Sequence, residues 1–261
     1  MKRLSLTVVC CLSLALSACN ETSSDSSSSG GDGTVIGVGG STARMTLAGD
    51  YLYAIAGSDV QLLDVTSPAT PLPWTQVRID WDIQTLFPYG DYLLVGAADG
   101  MHILDNTDPA SPEHVGDFQH ARAIDPVVAQ NDVAYVTLKV DTTQPDNGIT
   151  NQMNVVDITD VTQPVLLDTI SMQGPEGLSV LGDRLYVCDD IAGIKIFDVS
   201  APTQPEVQGS IAGVNCSDVI AYGELLFVIS DEGLTQYDVS SGIPVLLSRI
   251  NTEPVVYVVS R

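Results

Sequence analysis

Two short motifs recur along this chain with one shared period, and that constrains the fold more than any other feature. The first is a turn between apolar runs: "LAGDYLYAIA" (47–56), "PYGDYLLVGA" (88–97), "AQNDVAYVTL" (129–138), "VLGDRLYVCD" (180–189) and "AYGELLFVIS" (221–230). Its turn starts at Gly49, Gly90, Asn131, Gly182 and Gly223, spaced 41, 41, 51 and 41 residues apart. The second is "VQLLDVTSPATP" from Val60, "MHILDNTDPASP" from Met101, "MNVVDITDVTQP" from Met153, "IKIFDVSAPTQP" from Ile194 and a shorter "LTQYDVSSGIP" from Leu234. Its aspartates, Asp64, Asp105, Asp157, Asp198 and Asp238, are spaced 41, 52, 41 and 40. Two markers keeping one period indicate a genuine internal repeat.

Each unit reads as four short strands. Gly-Asp between apolar runs favours a hairpin whose backbone needs positive φ. A β-rich run such as "YLYAIA" follows, then a turn and a second run such as "VQLLDV". The aspartate and the Ser or Thr after it make a further turn, in which the carboxylate accepts backbone N–H bonds. A last run such as "PVLLDTIS" (164–171) leads into the next unit. The runs are apolar on both faces, so the sheets are expected to be covered on both sides. Four-stranded units of about 40 residues predict an all-β β-propeller of stacked blades. The units are 43–79, 83–119, 121–171, 175–211 and 216–250, giving five blades. "TVIGVG" (34–39) and "EPVVYVVSR" (253–261) offer strands for a sixth, composite blade as the alternative count.

"NVVDITD", "IKIFDVSAP" and "LLDVTSP" resemble the LVIVD repeat of bacterial and archaeal cell-surface proteins. That resemblance implies a propeller and a cell-envelope setting. Blade 5 lacks one turn residue and the first proline, and blade 3 has Val161 where that proline belongs.

The first residues carry a different message. Lys2 and Arg3 precede the apolar run "LSLTVVCCLSLALSA", which ends in Leu16-Ser17-Ala18-Cys19. The run is short for a membrane span and suits a signal peptide. Its end resembles the lipobox of bacterial lipoproteins, which implies cleavage after residue 18 and lipidation of Cys19. Asn20 follows where an Asp would imply inner-membrane retention, so the resemblance extends to an outer-membrane address. Residues 19–33, dominated by "NETSSDSSSSGGDG", read as a flexible Ser/Gly tether reaching roughly 20 Å. The expected order is thus a lipoprotein signal peptide (1–18), a lipidated tether (19–33) and a propeller (34–261).

Charge narrows the partners. Ten Lys and Arg face 33 Asp and Glu, for a net charge of −23. Such a surface repels nucleic acid and anionic headgroups, so membrane attachment is expected through acyl chains. Cationic partners and metal ions suit it.

Candidate site residues follow from the propeller. The loop between a blade's second and third strands shares a rim with the connection to the next blade. Propellers generally bind ligands there, by analogy of fold. Asp59, Asp99, Asp189, Asp190, Asp231 and Glu232 fall at this rim. They suit an acidic ring for Ca²⁺ or a basic partner, or plain turn chemistry. Blade 3 needs 26 residues from Asn131 to Asp157, where the others need 15 or 16. Within its extra segment Asp141, Gln144, Asp146, Asn147 and Asn151 are candidate contacts to a ligand or partner. Cys188 and Cys216 remain after Cys10, Cys11 and Cys19 are assigned to the leader and anchor. They are placed to form a disulfide in an oxidising compartment, stabilising by roughly 3–4 kcal/mol through loop closure, or to stay buried thiols.

The sequence contains no G-x-S-x-G, H-E-x-x-H or P-loop, and no C-x-x-C follows Cys19. His102, His114 and His120 cluster along the chain, yet their spacing matches no zinc template. The reading is a non-enzymatic envelope module that binds a protein or extracellular ligand. The alternatives are a glycan hydrolase or lyase using funnel carboxylates, and a calcium-binding adhesion module.

Overall fold

The computed structural model describes residues 40–79, 82–120, 126–140 and 150–251, all within one compact unit, Thr34–Arg261. Twenty strands form five four-stranded sheets. Blade 1 holds β1 (Met45–Ala48), β2 (Tyr51–Ala56), β3 (Asp59–Asp64) and β4 (Leu72–Arg78). Blade 2 holds β5 (Ile83–Tyr89), β6 (Tyr92–Ala97), β7 (Gly100–Asp105) and β8 (Glu113–Gln119). Blade 3 holds β9 (Val127–Gln130), β10 (Val133–Leu138), β11 (Gln152–Asp157) and β12 (Val165–Ser171). Blade 4 holds β13 (Pro175–Leu181), β14 (Arg184–Asp189), β15 (Ile194–Asp198) and β16 (Glu206–Ile211). Blade 5 holds β17 (Cys216–Tyr222), β18 (Leu225–Ser230), β19 (Gly233–Asp238) and β20 (Val245–Ile250). Each sheet is an antiparallel meander in chain order. The molecule is a five-bladed β-propeller.

The two repeated motifs lie side by side on one rim. The first closes each β-hairpin between strands one and two, with Gly49, Gly90, Asn131, Gly182 and Gly223 all at φ between 52° and 59°. Glycine adopts this left-handed region without a Cβ penalty, and Asn is the residue that tolerates it next best. The second motif forms the turn between strands three and four. There the side chains of Asp64, Asp105, Asp157, Asp198 and Asp238 accept the N–H two residues on, at 2.8–2.9 Å. A backbone bond joins the two turns in every blade: Val65 to Asp50, Asn106 to Asp91, Ile158 to Asp132, Val199 to Asp183 and Val239 to Glu224.

Neighbouring blades are joined by apolar clusters. Leu62 of blade 1 packs with Leu86 and Leu93 of blade 2. Ile103 packs with Val127 and Val136 at the next junction, Tyr135 and Val155 with Leu185 and Phe197, and Ile196 with Val219 and Leu226. The Tyr53 hydroxyl, pushed up to about 12 by burial, lies 2.7 Å from both Asn106 Oδ1 and the Pro109 carbonyl of the next blade. Tyr135 donates to the Pro202 carbonyl in the same way, at 2.8 Å.

Among the described residues, no such cluster joins blade 5 back to blade 1. Met45 and Leu47 on β1 are 62% and 48% exposed, and Tyr222 and Ile229 of blade 5 are 60% and 47% exposed. The second strands of blades 2 to 4 are buried on both faces, whereas β2 buries only Tyr53 fully and β18 only Leu226 and Val228.

Candidate functional site: the axial mouth

The innermost strands carry bulges where they begin. Register shifts occur between Pro175 and Leu178 in β13 and between Cys216 and Asp218 in β17. The skipped residues include Glu176 and Ser217. A bulge re-aims the side chain it frees, and both of these line a cavity of about 370 Å³ with Thr42, Pro126, Lys139 and Pro175. Lys139 and Glu176 form an ion pair on its lining. The cavity opens on the rim of the second-to-third-strand loops, since Pro126, Pro175 and Ser217 begin inner strands and Lys139 follows β10.

Below the mouth lies Asp218. Its carboxylate accepts from the Thr42 hydroxyl at 2.6 Å, the Val219 N–H at 2.9 Å and the Ser41 hydroxyl at 3.5 Å. Burial nonetheless pushes its carboxyl above the usual carboxylate range. Gly40 and Gly177 make room for it: a Cβ there would come within 2.1 and 2.2 Å of its oxygens. Ser41 also accepts the Leu178 N–H at 2.7 Å, and the Ala43 carbonyl accepts the Leu86 N–H at 2.8 Å. Residues 40–43 therefore tie blades 2, 4 and 5 together.

The expected site residues are distributed differently. Asp141, Gln144, Asp146 and Asn147 lie outside the described residues. Asn151 clamps the base of that segment, accepting the Val140 N–H at 2.8 Å and donating to the Gln173 carbonyl. Asp189 is buried and committed to the Gln173 and Gly174 N–H groups and to Lys195 Nζ at 2.7 Å. Asp190 adopts φ 50° at the head of a 3-10 turn, Asp190–Ala192. Asp59 opens β3 opposite Arg78. Asp99 Oδ1 lies 3.4 Å from His102 Nε2. Asp231 accepts from Asn215 at 2.9 Å, and Glu232 pairs with Arg249. Among the described residues, no three of these rim carboxylates come close enough to share one ion. Cys188 and Cys216 are joined as a disulfide, with Cα atoms 5.5 Å apart, linking the end of β14 to the start of β17.

Thr42, Lys139, Glu176, Ser217 and Asp218 escape a reading of the sequence because their placement depends on bulges and on a segment outside the repeat. One signal was available: Lys139 is among only ten basic residues in the chain.

Residues 83–119 and 176–212, which are blades 2 and 4, match the LVIVD repeat family. Those two blades are LVIVD repeats. No curated protein matches it. Among solved structures this propeller is similar to a periplasmic gluconolactonase of Pseudomonas aeruginosa, with TM-score 0.60 at 15% identity, covering 78% of this chain and 68% of that one. It is likewise similar to a Lactobacillus plantarum protein, with TM-score 0.61 at 12% identity over 78% and 72% of the two chains. AztD of Citrobacter koseri gives TM-score 0.50 at 13% identity over 80% and 74%. At these identities the likeness is one of fold.

Proposed function

We propose that this chain is a membrane-anchored envelope lipoprotein whose propeller is a non-enzymatic binding and scaffold module. It takes a protein or extracellular ligand at the axial mouth. The observation that carries this reading is the mouth itself. Two prolines and two hydroxyls are common at any loop rim; a Lys–Glu pair on the lining of the same cavity is not, and the site offers a donor, an acceptor and apolar walls together. That combination suits a peptide or another small polar group held against apolar surface. The repeated acidic turns serve the blades, so ligand discrimination rests with residues that break the repeat.

The lipobox ending at Cys19 supports anchoring, and Asn20 supports the outer membrane. Three acyl chains hold a protein firmly despite its negative charge. The propeller of the periplasmic gluconolactonase is a neighbour in fold from the same kind of compartment. It also keeps the hydrolase alternative in view, with Glu176 as the carboxylate to test first.

In-cell photo-crosslinking separates these readings. A photo-reactive residue at Ser217 is expected to give a discrete protein adduct in the membrane fraction, with none from Gln208 on the outer strand β16. Substituting Cys19→Ser should release the adduct from that fraction. Equal labelling from both positions contradicts the module reading. Turnover of a sugar lactone or glycan that Glu176→Gln abolishes would favour the enzyme instead.

A further inference from the structure

We propose that His102, His114 and Asp117 form a binding site for a divalent transition-metal ion, of the Zn²⁺ class, on the flank of blade 2. The site is separate from the axial mouth. His102 lies on β7 and the other two on the outer strand β8. Residues three apart on a regular strand face opposite ways, so His114 and Asp117 should not meet. The β7–β8 register shows why they do: His102 pairs Asp117, Ile103 pairs Gly116, Leu104 pairs His114, and Val115 is passed over. That bulge returns His114 to the face of Asp117.

The resulting geometry is compact. His102 Nδ1 lies 2.6 Å and His114 Nε2 2.7 Å from the same atom, Asp117 Oδ1. The three donor atoms lie within 4.8 Å of one another. The imidazole centroids are 5.8 Å apart at 55°, so the rings converge without stacking. Zinc ligands sit about 2.0–2.2 Å from the ion, and small side-chain rotations would open this triangle around one.

A second observation points the same way. His102 is 6% exposed, and its other nitrogen, Nε2, faces Asp99 Oδ1 at 3.4 Å. Both of those atoms are buried and make no hydrogen bond. A neutral imidazole has one N–H and one lone pair, yet His102 has a carboxylate at each nitrogen. An ion between Nδ1 and Asp117 resolves this: the proton sits on Nε2 toward Asp99 and the Nδ1 lone pair goes to the metal. A carboxylate behind a ligating histidine is the usual outer support of such sites. Two imidazoles and a carboxylate select Zn²⁺, Ni²⁺ or Cu²⁺ over Ca²⁺. His114 and Asp117 are partly exposed, which leaves the remaining coordination position to water.

The test uses the full chain, untagged and in detergent, stripped with chelator and titrated with Co²⁺ and Zn²⁺. The expected result is one ion per chain, with a visible Co²⁺ absorption of a four- or five-coordinate site. His114→Ala should abolish it. Asp99→Asn, which removes only the support, should weaken affinity by about 10–100-fold. Circular dichroism of the stripped variants should match the parent, since His114 is at the surface. Absence of binding by the parent, or equal binding by His114→Ala, overturns the proposal.

Discussion

The repeated aspartates show how one side chain is spent on architecture. In Asp64, Asp157, Asp198 and Asp238 the neighbouring hydroxyl, followed by the backbone N–H, holds the carboxyl below its ordinary range. In Asp105 the order of the two causes is reversed. Such groups stabilise the fold above the unfolded carboxylate pKa, and that contribution is lost as pH falls through their lowered values. Asp218 behaves oppositely. Its raised value means its contribution is present below the unfolded carboxylate pKa, about 3.9, and is lost as pH rises through the folded value. Carboxyl ¹³C NMR should therefore show an aspartate titrating above the ordinary carboxylate range and well above the repeated turn aspartates, and Asp218→Asn should remove that signal. A signal lost in Asp218→Asn that titrates at or below the ordinary value would contradict the burial assigned to Asp218.

At the level of elements, turns were legible and bulges were not. A Gly or Asn at φ above zero and an Asp two residues before a Thr or Ser are local requirements, so they stand in the sequence at fixed spacing. A bulge is a relation between two strands. All five blades shift register between their third and fourth strands, as at Ile103/Leu104 and Ile196/Phe197. Nothing in either strand alone marks the place. The same limit hid the mouth, where Glu176 and Ser217 are bulge residues, and hid the approach of His114 to Asp117. Burial gives a prediction at this scale. Amides of β6, β10 and β14 sit between covered faces, whereas β2 and β18 are covered on one side. Local opening follows such coverage, so hydrogen exchange should be slowest in β6, β10 and β14 and faster in β2 and β18. Uniform protection across the five second strands would mean that the flanks of blades 1 and 5 are covered in solution.

Across the whole molecule, repetition and its exceptions divide the work. Five copies of one meander supply four apolar junctions and a rim of hydrogen-bonded turns. The exceptions are the chain before β1, the disulfide between blades 4 and 5, and the Lys139–Glu176 pair, and the first and last of these meet at the mouth. The most direct test of this division compares two substitutions in cells that carry the photo-reactive residue at Ser217. Lys139→Glu reverses a charge that is partly exposed, and Asp157→Asn weakens a repeated turn. Lys139→Glu should lower adduct yield by about tenfold or more, as loss of a matched charge at a contact does, and by more than the accompanying change in melting midpoint from its contact with Glu176 accounts for. Asp157→Asn should lower the midpoint and leave the adduct in place. An adduct that survives Lys139→Glu, or that tracks stability alone, would contradict binding at the axial mouth.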